Sequence, residues 1–188
     1  MIKKFILLCF LLLNSQKLIS QEIYEWFNQE SNGFLELMKG SDNQNNNYEL
    51  YLNYVKKNFA VKSIAYSLIN EEIIKNSDQS ILDLYLQVFE DYLTKTIYNL
   101  ADPNYSGKID LLSIDESDGI YIISSEITDI DGKIRLYWKA VAFNDSYKII
   151  DVIIENTSYF VTKKTEFSKI LRKNKNDIKK LILELQNT

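Results

Sequence analysis

Four strand-like segments follow one another between residues 108 and 155, and only short turns separate them. The predicted strands run from Lys108 to Ile114, Ile120 to Thr128, Ile134 to Phe143 and Tyr147 to Glu155. Turns this short leave no room for a crossover connection, so neighbouring strands are expected to pair antiparallel. The Asp131-Gly132 pair before the third strand is a hairpin signal. The sequence therefore predicts a four-stranded antiparallel meander.

Apolar residues at helical spacing lie on both sides of this meander. Helices are predicted at residues 21–38 and 48–68, the second with a break near residues 59–61. The clearest helix runs from Ser77 to Asn99, and residues 158–186 form two helices separated at Asn174 to Asn176. This order predicts the α+β class, with a curved sheet that N-terminal and C-terminal helices wrap.

Residues 1–20 have the layout of a secretory signal peptide. Lys3 and Lys4 form a positive start, and Phe5 to Leu13 is an apolar run too short to span a bilayer. Cleavage after Ser20 would leave residues 21–188 as a single domain. An uncleaved anchor or a buried strand is the alternative interpretation of this segment.

Histidine is absent from the chain, and the one cysteine, Cys9, falls within the apolar run. A Ser-His-Asp triad, a zinc site of His or Cys, a disulfide and a cysteine nucleophile in the cleaved chain are therefore excluded. Without residues 1–20, 19 basic and 26 acidic side chains remain, a net charge of −7. Because nucleic-acid-binding domains are usually basic, we expect no nucleic-acid partner. Because histidine is absent and the cleaved chain has no cysteine, we also expect no metal site.

Three polar residues lie at the end of the fourth strand. Asp151 stands among apolar neighbours, and Glu155 and Ser158 flank the turn that follows. With no histidine to act beside it, Asp151 is interpreted as hydrogen-bonding a backbone turn rather than as a catalytic base. Glu155 and Ser158 are interpreted as caps of the next helix. No catalytic residue is assigned.

The segment YKIIDVIIENTSYFVTKKTEFSKIL, residues 147–171, resembles the MlaC family. The matching positions are Tyr147-Lys148, Asp151-Val152, Glu155, Thr157-Ser158, Phe167 and Ile170-Leu171. The ending NKNDIKKLILEL and the spaced aromatic residues Tyr85, Phe89 and Tyr92 are also similar to that family. The turn glycine of the family is Asn156 here, and asparagine also tolerates the left-handed conformation.

MlaC proteins are periplasmic phospholipid-binding proteins, also described as toluene-tolerance or ABC-transporter auxiliary components. The resemblance implies a non-enzymatic shuttle that holds phospholipid as cargo, with no other cofactor, in an apolar cavity. It would work between the outer membrane and an inner-membrane ABC transporter complex, maintaining lipid asymmetry. The implied partners are the MCE-domain subunit of that complex and an outer-membrane lipoprotein complex. The protein itself is expected to be a periplasmic monomer.

Such a cavity would lie between one sheet face and the facing helices. The candidate lining residues are apolar or aromatic: Tyr85, Val88, Phe89, Tyr92, Ile122, Leu136, Trp138, Ala140, Ile150, Val152 and Ile154. Ordinary core packing is the alternative for each of them.

The segment after the last strand is basic, although the rest of the protein is acidic. The candidate residues for contact with anionic head groups or an acidic partner are Lys163, Lys164, Lys169, Arg172 and Lys173. A solvated helix face is the alternative.

Two other classes of protein stay open at this point. One is a small exported enzyme of NTF2-like shape, with a cone-shaped cavity and an Asp or Glu base. The other is an adaptor or chaperone that binds proteins on its curved sheet. Co-purifying lipid favours the shuttle, whereas loss of turnover in Asp151→Asn favours the enzyme.

Overall fold

The structure is a computed structural model that describes residues 21–39, 47–102, 104–130 and 132–188. The predicted signal peptide at residues 1–20 and Asp131 of the predicted hairpin turn lie outside the described residues. Within those ranges, no helix has both the length and the apolar character needed to cross a membrane.

The meander is an open, curved antiparallel sheet of five strands, one more than predicted. Its strands, in chain order and in sheet order, are β1 Lys108–Ser117, β2 Ile120–Asp129, β3 Gly132–Phe143, β4 Ser146–Ile154 and β5 Thr157–Ser158. The predicted turn after β4 is present, with φ of 47° at Glu155 and 66° at Asn156. Two successive residues at positive φ close a two-residue hairpin, so Thr157 pairs with Ile154 and the short β5 forms.

Seven helices flank the sheet in the described residues. They are α1 at 21–38, α2 Asn47–Asn58, α3 Val61–Ser67, α4 Glu71–Asn76, α5 Gln79–Tyr98, α6 Tyr159–Lys173 and α7 Ile178–Gln186. Both predicted helix breaks are confirmed, and the second has Lys175 and Asn176 at positive φ. The sequence did not predict α4, which the Asn70 side chain caps by accepting the Glu72 N–H.

The break between α2 and α3 joins the helices to the sheet. The Ala60 N–H donates to the Ile149 carbonyl at 2.9 Å, and Phe59 forms an isolated bridge with the same residue. Since β5 pairs only with Ile153 and Ile154, this junction covers part of the β4 edge that β5 leaves open.

One hydrophobic core lies between the helices and one face of the sheet. The sheet contributes Ile123, Leu136, Trp138, Ala140, Tyr147 and Ile149 to its buried residues. Above them, α2, α3 and α6 contact β4, whereas α5 packs against α2, α3 and α7. Helix α5 therefore packs mainly against other helices, and eight of its residues are buried.

Candidate functional site

Five of the candidate lining residues share the core-facing side of the sheet. Leu136, Trp138 and Ala140 are buried on β3. Antiparallel register places Val152 opposite Trp138 and Ile154 opposite Leu136. Because directly paired residues in a sheet point to the same side, these five side chains share one apolar surface, with Val152 half-buried and Ile154 exposed at its end.

Helix α1 covers Trp138, which the sequence did not predict. The Phe27 and Phe34 rings meet the indole edge-on, with centroid distances of 6.1 and 6.2 Å. A third contact joins Trp26 of α1 to Tyr147 of β4 at 5.6 Å. The recurrence of Ile23, Phe27 and Phe34 along one side of the predicted first helix is the sequence signal that would have identified this cover.

The interior between α1 and the sheet is nearly closed. A cavity of about 10 Å³ lies there, lined by Trp26, Phe27, Glu30, Ser31, Tyr54, Trp138 and Ile149. This volume admits about one water molecule, whereas sites for small-molecule ligands are usually on the order of 300–1,000 Å³. This cavity is therefore too small, as the structure describes it, to hold an acyl chain.

The four candidates on α5 lie elsewhere in the core. The Tyr85 hydroxyl donates to the Ala65 carbonyl of α3 at 2.9 Å. Phe89 and Tyr92 pack edge-on against Phe167 of α6, at 6.4 and 6.1 Å. The described ring contacts of these three residues do not include Trp138. Val88 is buried on the same helix. The structure thus divides the predicted lining into a sheet part under α1 and a helix part under α6.

Two further candidates are not paired with the residues of the sheet part. Ile122 pairs with Lys139 and not with Trp138, so it lies on the opposite face of the sheet. Ile150 is the extra residue of a β-bulge, because Lys139 pairs with Asp151 while Ala140 pairs with Ile149. The expectation that Ile122 lines the same space as Trp138 is therefore corrected by the strand register, whereas that for Ile150 stays a prediction.

An open groove lies beside the closed cavity, between α1 and the turn that joins β3 to β4. This outer groove has a volume of about 730 Å³. Its lining residues are Glu22, Glu25, Trp26, Gln29, Glu30, Lys57, Tyr121, Ala142, Asn144, Asp145, Ser146 and Tyr147. It shares Trp26 and Glu30 with the cavity. The outer groove therefore adjoins the space under α1, and we call this junction its mouth.

A buried carboxylate joins α1 to α2 at this mouth. Glu30 is 6% exposed, and it accepts hydrogen bonds from the Lys57 ammonium at 2.5 Å and the Asn58 amide at 2.9 Å. The Tyr54 hydroxyl donates to the Glu30 carbonyl, and burial together with the Glu30 carboxylate raises the pKa of Tyr54. Beside them, the buried Trp26 indole N–H has no hydrogen-bond partner among the described residues.

The basic candidates on α6 have three different kinds of surroundings. Lys163 pairs with Glu166 at 2.8 Å and lies over the rings of Tyr92 and Tyr159. Lys164 lines a second groove of about 520 Å³ between α3, α4 and α6, called here the α3–α6 groove. The other three candidates, which are Lys169, Arg172 and Lys173, are exposed and form no ion pair within the described residues.

Asp151 is part of a link between β4 and α6. Its two carboxylate oxygens accept the Ser158 hydroxyl proton at 2.9 and 2.8 Å, and Lys139 lies 3.6 Å away. Ser158 is the N-cap of α6, as predicted, and accepts the Val161 N–H, whereas Glu155 lies within the turn. Within the described residues, no group of three or more His, Cys, Asp or Glu is placed to hold a metal ion.

An open antiparallel meander with helices packed on one face and an aromatic interior defines the class: an α+β protein built around an apolar interior. The family model described as MlaC protein matches residues 28–187. The chain therefore belongs to the MlaC family, and the resemblance carried by the segment around Asp151 is confirmed.

One solved structure similar to this chain is the phospholipid-binding protein from Ralstonia solanacearum, in complex with a phospholipid. The TM-score is 0.70 at 13% sequence identity, over 87% of this chain and 94% of that chain. Likeness at this identity concerns the fold. The comparison with curated proteins gave no match.

Proposed function

We propose that this protein is a periplasmic phospholipid shuttle, which carries lipid between the outer membrane and an inner-membrane ABC transporter complex. Membership of the MlaC family over residues 28–187 is the observation that carries the proposal. The similarly folded protein from Ralstonia solanacearum, solved with a phospholipid bound, supports it. Phospholipid is the cargo, and the protein performs no reaction on it.

The energetics of carriage favour a cavity over a tight polar site. Two acyl chains of about fourteen methylenes each represent on the order of 20 kcal/mol of apolar burial against water, at ~0.8 kcal/mol per methylene. The lipid starts in a membrane that is equally apolar, so its net transfer free energy into an apolar interior is near zero. A shuttle therefore needs an apolar space that opens and refills at low cost.

The space under α1 has the properties that such opening requires. Phe27 and Phe34 pack α1 against Trp138 through their rings, and the hydrogen bonds of Glu30 join α1 to α2 and not to the sheet. Acyl chains replace apolar contacts of this kind with equivalent ones. The carrier then exchanges between a closed state, which the structure describes, and an open state that lipid stabilises by binding it preferentially.

The exposed basic residues of α6 supply a docking surface. Lys169, Arg172 and Lys173 project from a protein whose cleaved form has a net charge of −7. Such a patch attracts anionic lipid head groups or an acidic surface of a partner protein. The partners proposed are the MCE-domain subunit of the transporter complex and an outer-membrane lipoprotein complex. Residues 1–20 direct export and are removed.

Lipid analysis of the purified protein tests this function. Protein isolated from the periplasm is extracted, and its lipids are identified and counted by mass spectrometry; we expect about one phospholipid per chain. Delipidated protein is then mixed with donor vesicles, and vesicles alone are the control. A lipid-free protein that also takes up no lipid from vesicles contradicts the proposal.

A further inference from the structure

We propose that the outer groove seats the ammonium end of a zwitterionic phospholipid head group, and so selects lipids such as phosphatidylethanolamine over anionic ones. The inference rests on the proposed carrier function and adds a specificity to it. The class of ligand is an organic ammonium group attached to a phosphate diester. Four independent features of the groove carry the proposal: its aromatic wall, its charge, its position and an unpartnered donor.

Three aromatic rings form a continuous part of the groove wall. Trp26 meets Tyr147 at 5.6 Å, and Tyr121 meets Tyr147 edge-on at 5.3 Å. The electron-rich faces of aromatic rings attract ammonium groups, and cages of Trp and Tyr are the usual protein solution for binding quaternary amines. Burial, more than any other cause, raises the pKa of both tyrosines, and the Glu22 carboxylate contributes. Both rings are therefore neutral phenols with an acid nearby.

The charge of the groove is complementary to a cation. Glu22, Glu25, Glu30 and Asp145 line it, and Lys57 is the one base among its lining residues. Lys57 is already matched, because its ammonium lies 2.5 Å from the Glu30 carboxylate. Glu22 and Glu25 are exposed on consecutive turns of the groove-facing side of α1. An anionic head group would meet these carboxylates with no compensating positive charge.

The groove is also in the right place for a head group. It adjoins the closed cavity, and Trp26 and Glu30 line both spaces. A lipid whose ammonium end lies in the groove therefore has its acyl chains directed toward Trp138. The volume of about 730 Å³ exceeds what an ethanolamine or choline phosphate needs.

The Trp26 indole N–H gives a further indication of a ligand. It is buried between groove and cavity and has no acceptor among the described residues. An unpaired buried donor costs free energy, and most such groups in native proteins have a partner. When α1 moves to admit a lipid, phosphate or ester oxygens of that lipid supply the missing acceptor.

The test compares two lipids in one experiment. Delipidated protein extracts lipid from vesicles of equal parts phosphatidylethanolamine and phosphatidylglycerol, and mass spectrometry gives the ratio of the two lipids in the protein. We expect a severalfold excess of phosphatidylethanolamine, the size of one cation–aromatic contact of about 1 kcal/mol in an open groove. The double variant Glu22→Lys with Glu25→Lys should lose or reverse this excess.

A matched double variant controls for net charge. Glu36→Lys with Glu49→Lys changes the charge by the same amount at exposed positions of α1 and α2 outside the groove. This control should keep the wild-type ratio. An equal shift in both double variants would show a general charge effect and overturn the inference, as would a wild-type protein that extracts the two lipids equally.

The outcomes also separate this inference from the carrier function. A wild type that extracts both lipids without preference remains a carrier and lacks the proposed specificity. A wild type that extracts neither lipid contradicts the carrier function itself. Soluble phosphoethanolamine, which has the same charges and no chains, is the third arm. If the protein binds it and extracts no lipid, the groove serves a free amine and the lipid assignment fails.

Discussion

The indole N–H of Trp138 donates a 2.9 Å hydrogen bond to the hydroxyl of Ser125 on the neighbouring strand, and both side chains are buried. This bond fixes the orientation of the ring that Phe27 and Phe34 of α1 meet edge-on. A polar contact within the sheet thereby orients the apolar ring against which helix α1 packs.

Removing the acceptor should destabilise the sheet. Ser125→Ala leaves the buried indole N–H without its partner, and we expect a loss of about 1–3 kcal/mol in the free energy of unfolding. Urea unfolding followed by tryptophan fluorescence measures it. In a Trp138→Phe background the same substitution should lower the free energy of unfolding much less, because no donor is left unpaired. An equal loss of unfolding free energy in both backgrounds would mean that Ser125 does not stabilise the protein through this hydrogen bond.

The link between Asp151 and Ser158 predicts a change in stability and none in function. Ser158→Ala removes both the cap of α6 and the partner of the Asp151 carboxylate, so a loss of about 1–2 kcal/mol is expected. Thr165→Ala, at an exposed position of the same helix, should change stability by about 0.5 kcal/mol or less. Lipid uptake per folded molecule should be unchanged in Asp151→Asn, and a large loss of uptake would give that carboxylate a functional role.

Two adjacent residues on β4 point to opposite faces of the sheet. Val152 points to the surface shared with Trp138, whereas Ile153 pairs with Tyr137 on the other face, and both side chains are half-buried. A charge at the first position repels acyl chains, since an unpaired charge in an apolar space is costly. Val152→Asp should therefore lose most lipid uptake from vesicles, and Ile153→Asp should retain it. Similar uptake in both variants would place the lipid somewhere other than the space under α1.

The basic face of α6 predicts salt-sensitive membrane binding. Replacing Lys169, Arg172 and Lys173 by Gln should weaken sedimentation with phosphatidylglycerol vesicles by at least about tenfold at low salt, since each such charge is worth roughly 1 kcal/mol near an anionic surface. The difference should shrink as salt screens the interaction. Gln at Lys62, Lys75 and Lys108, which belong to α3, α4 and β1, is the matched control and should bind nearly as the wild type. Equal losses of vesicle binding in the two triple variants would show that α6 has no special role in membrane binding.

Local turn chemistry explains why much of the fold could be predicted from the sequence. The positive φ of Asn156 and the helix break at Asn176 follow from the tolerance of asparagine for left-handed backbone. Alternation along β3 correctly grouped Leu136, Trp138 and Ala140. The short β5 was missed because a two-residue strand has no periodicity of its own.

The candidate site was harder to predict because periodicity identifies a buried side but not the neighbour that covers it. The stripe containing Tyr85, Phe89 and Tyr92 is buried as expected, yet its ring partner is Phe167 of α6 and not Trp138. For Ile122 a signal was present. A two-residue loop closing β2 to β3 pairs Asp129 with Gly132 and hence Ile123, not Ile122, with Trp138.

Lipid is proposed to enter between α1 and the sheet, and a reversible cross-link across that boundary tests this route. Gln29→Cys on α1 and Ser146→Cys at the start of β4 lie on opposite sides of the outer groove, and both positions are exposed. The sole native cysteine falls in residues 1–20, so the cleaved chain has no other thiol. A bismaleimide linker with an internal disulfide joins the pair and is cut by a reductant.

Transfer of fluorescent phospholipid from vesicles to the stapled protein is the measurement, and a pair joined across the α3–α6 groove, Ser67→Cys with Ser168→Cys, is its control. We expect that the staple at Gln29 and Ser146 blocks uptake, that reduction restores it, and that the control pair takes up lipid whether joined or cut. Undiminished uptake with α1 stapled to β4 would mean that lipid enters elsewhere.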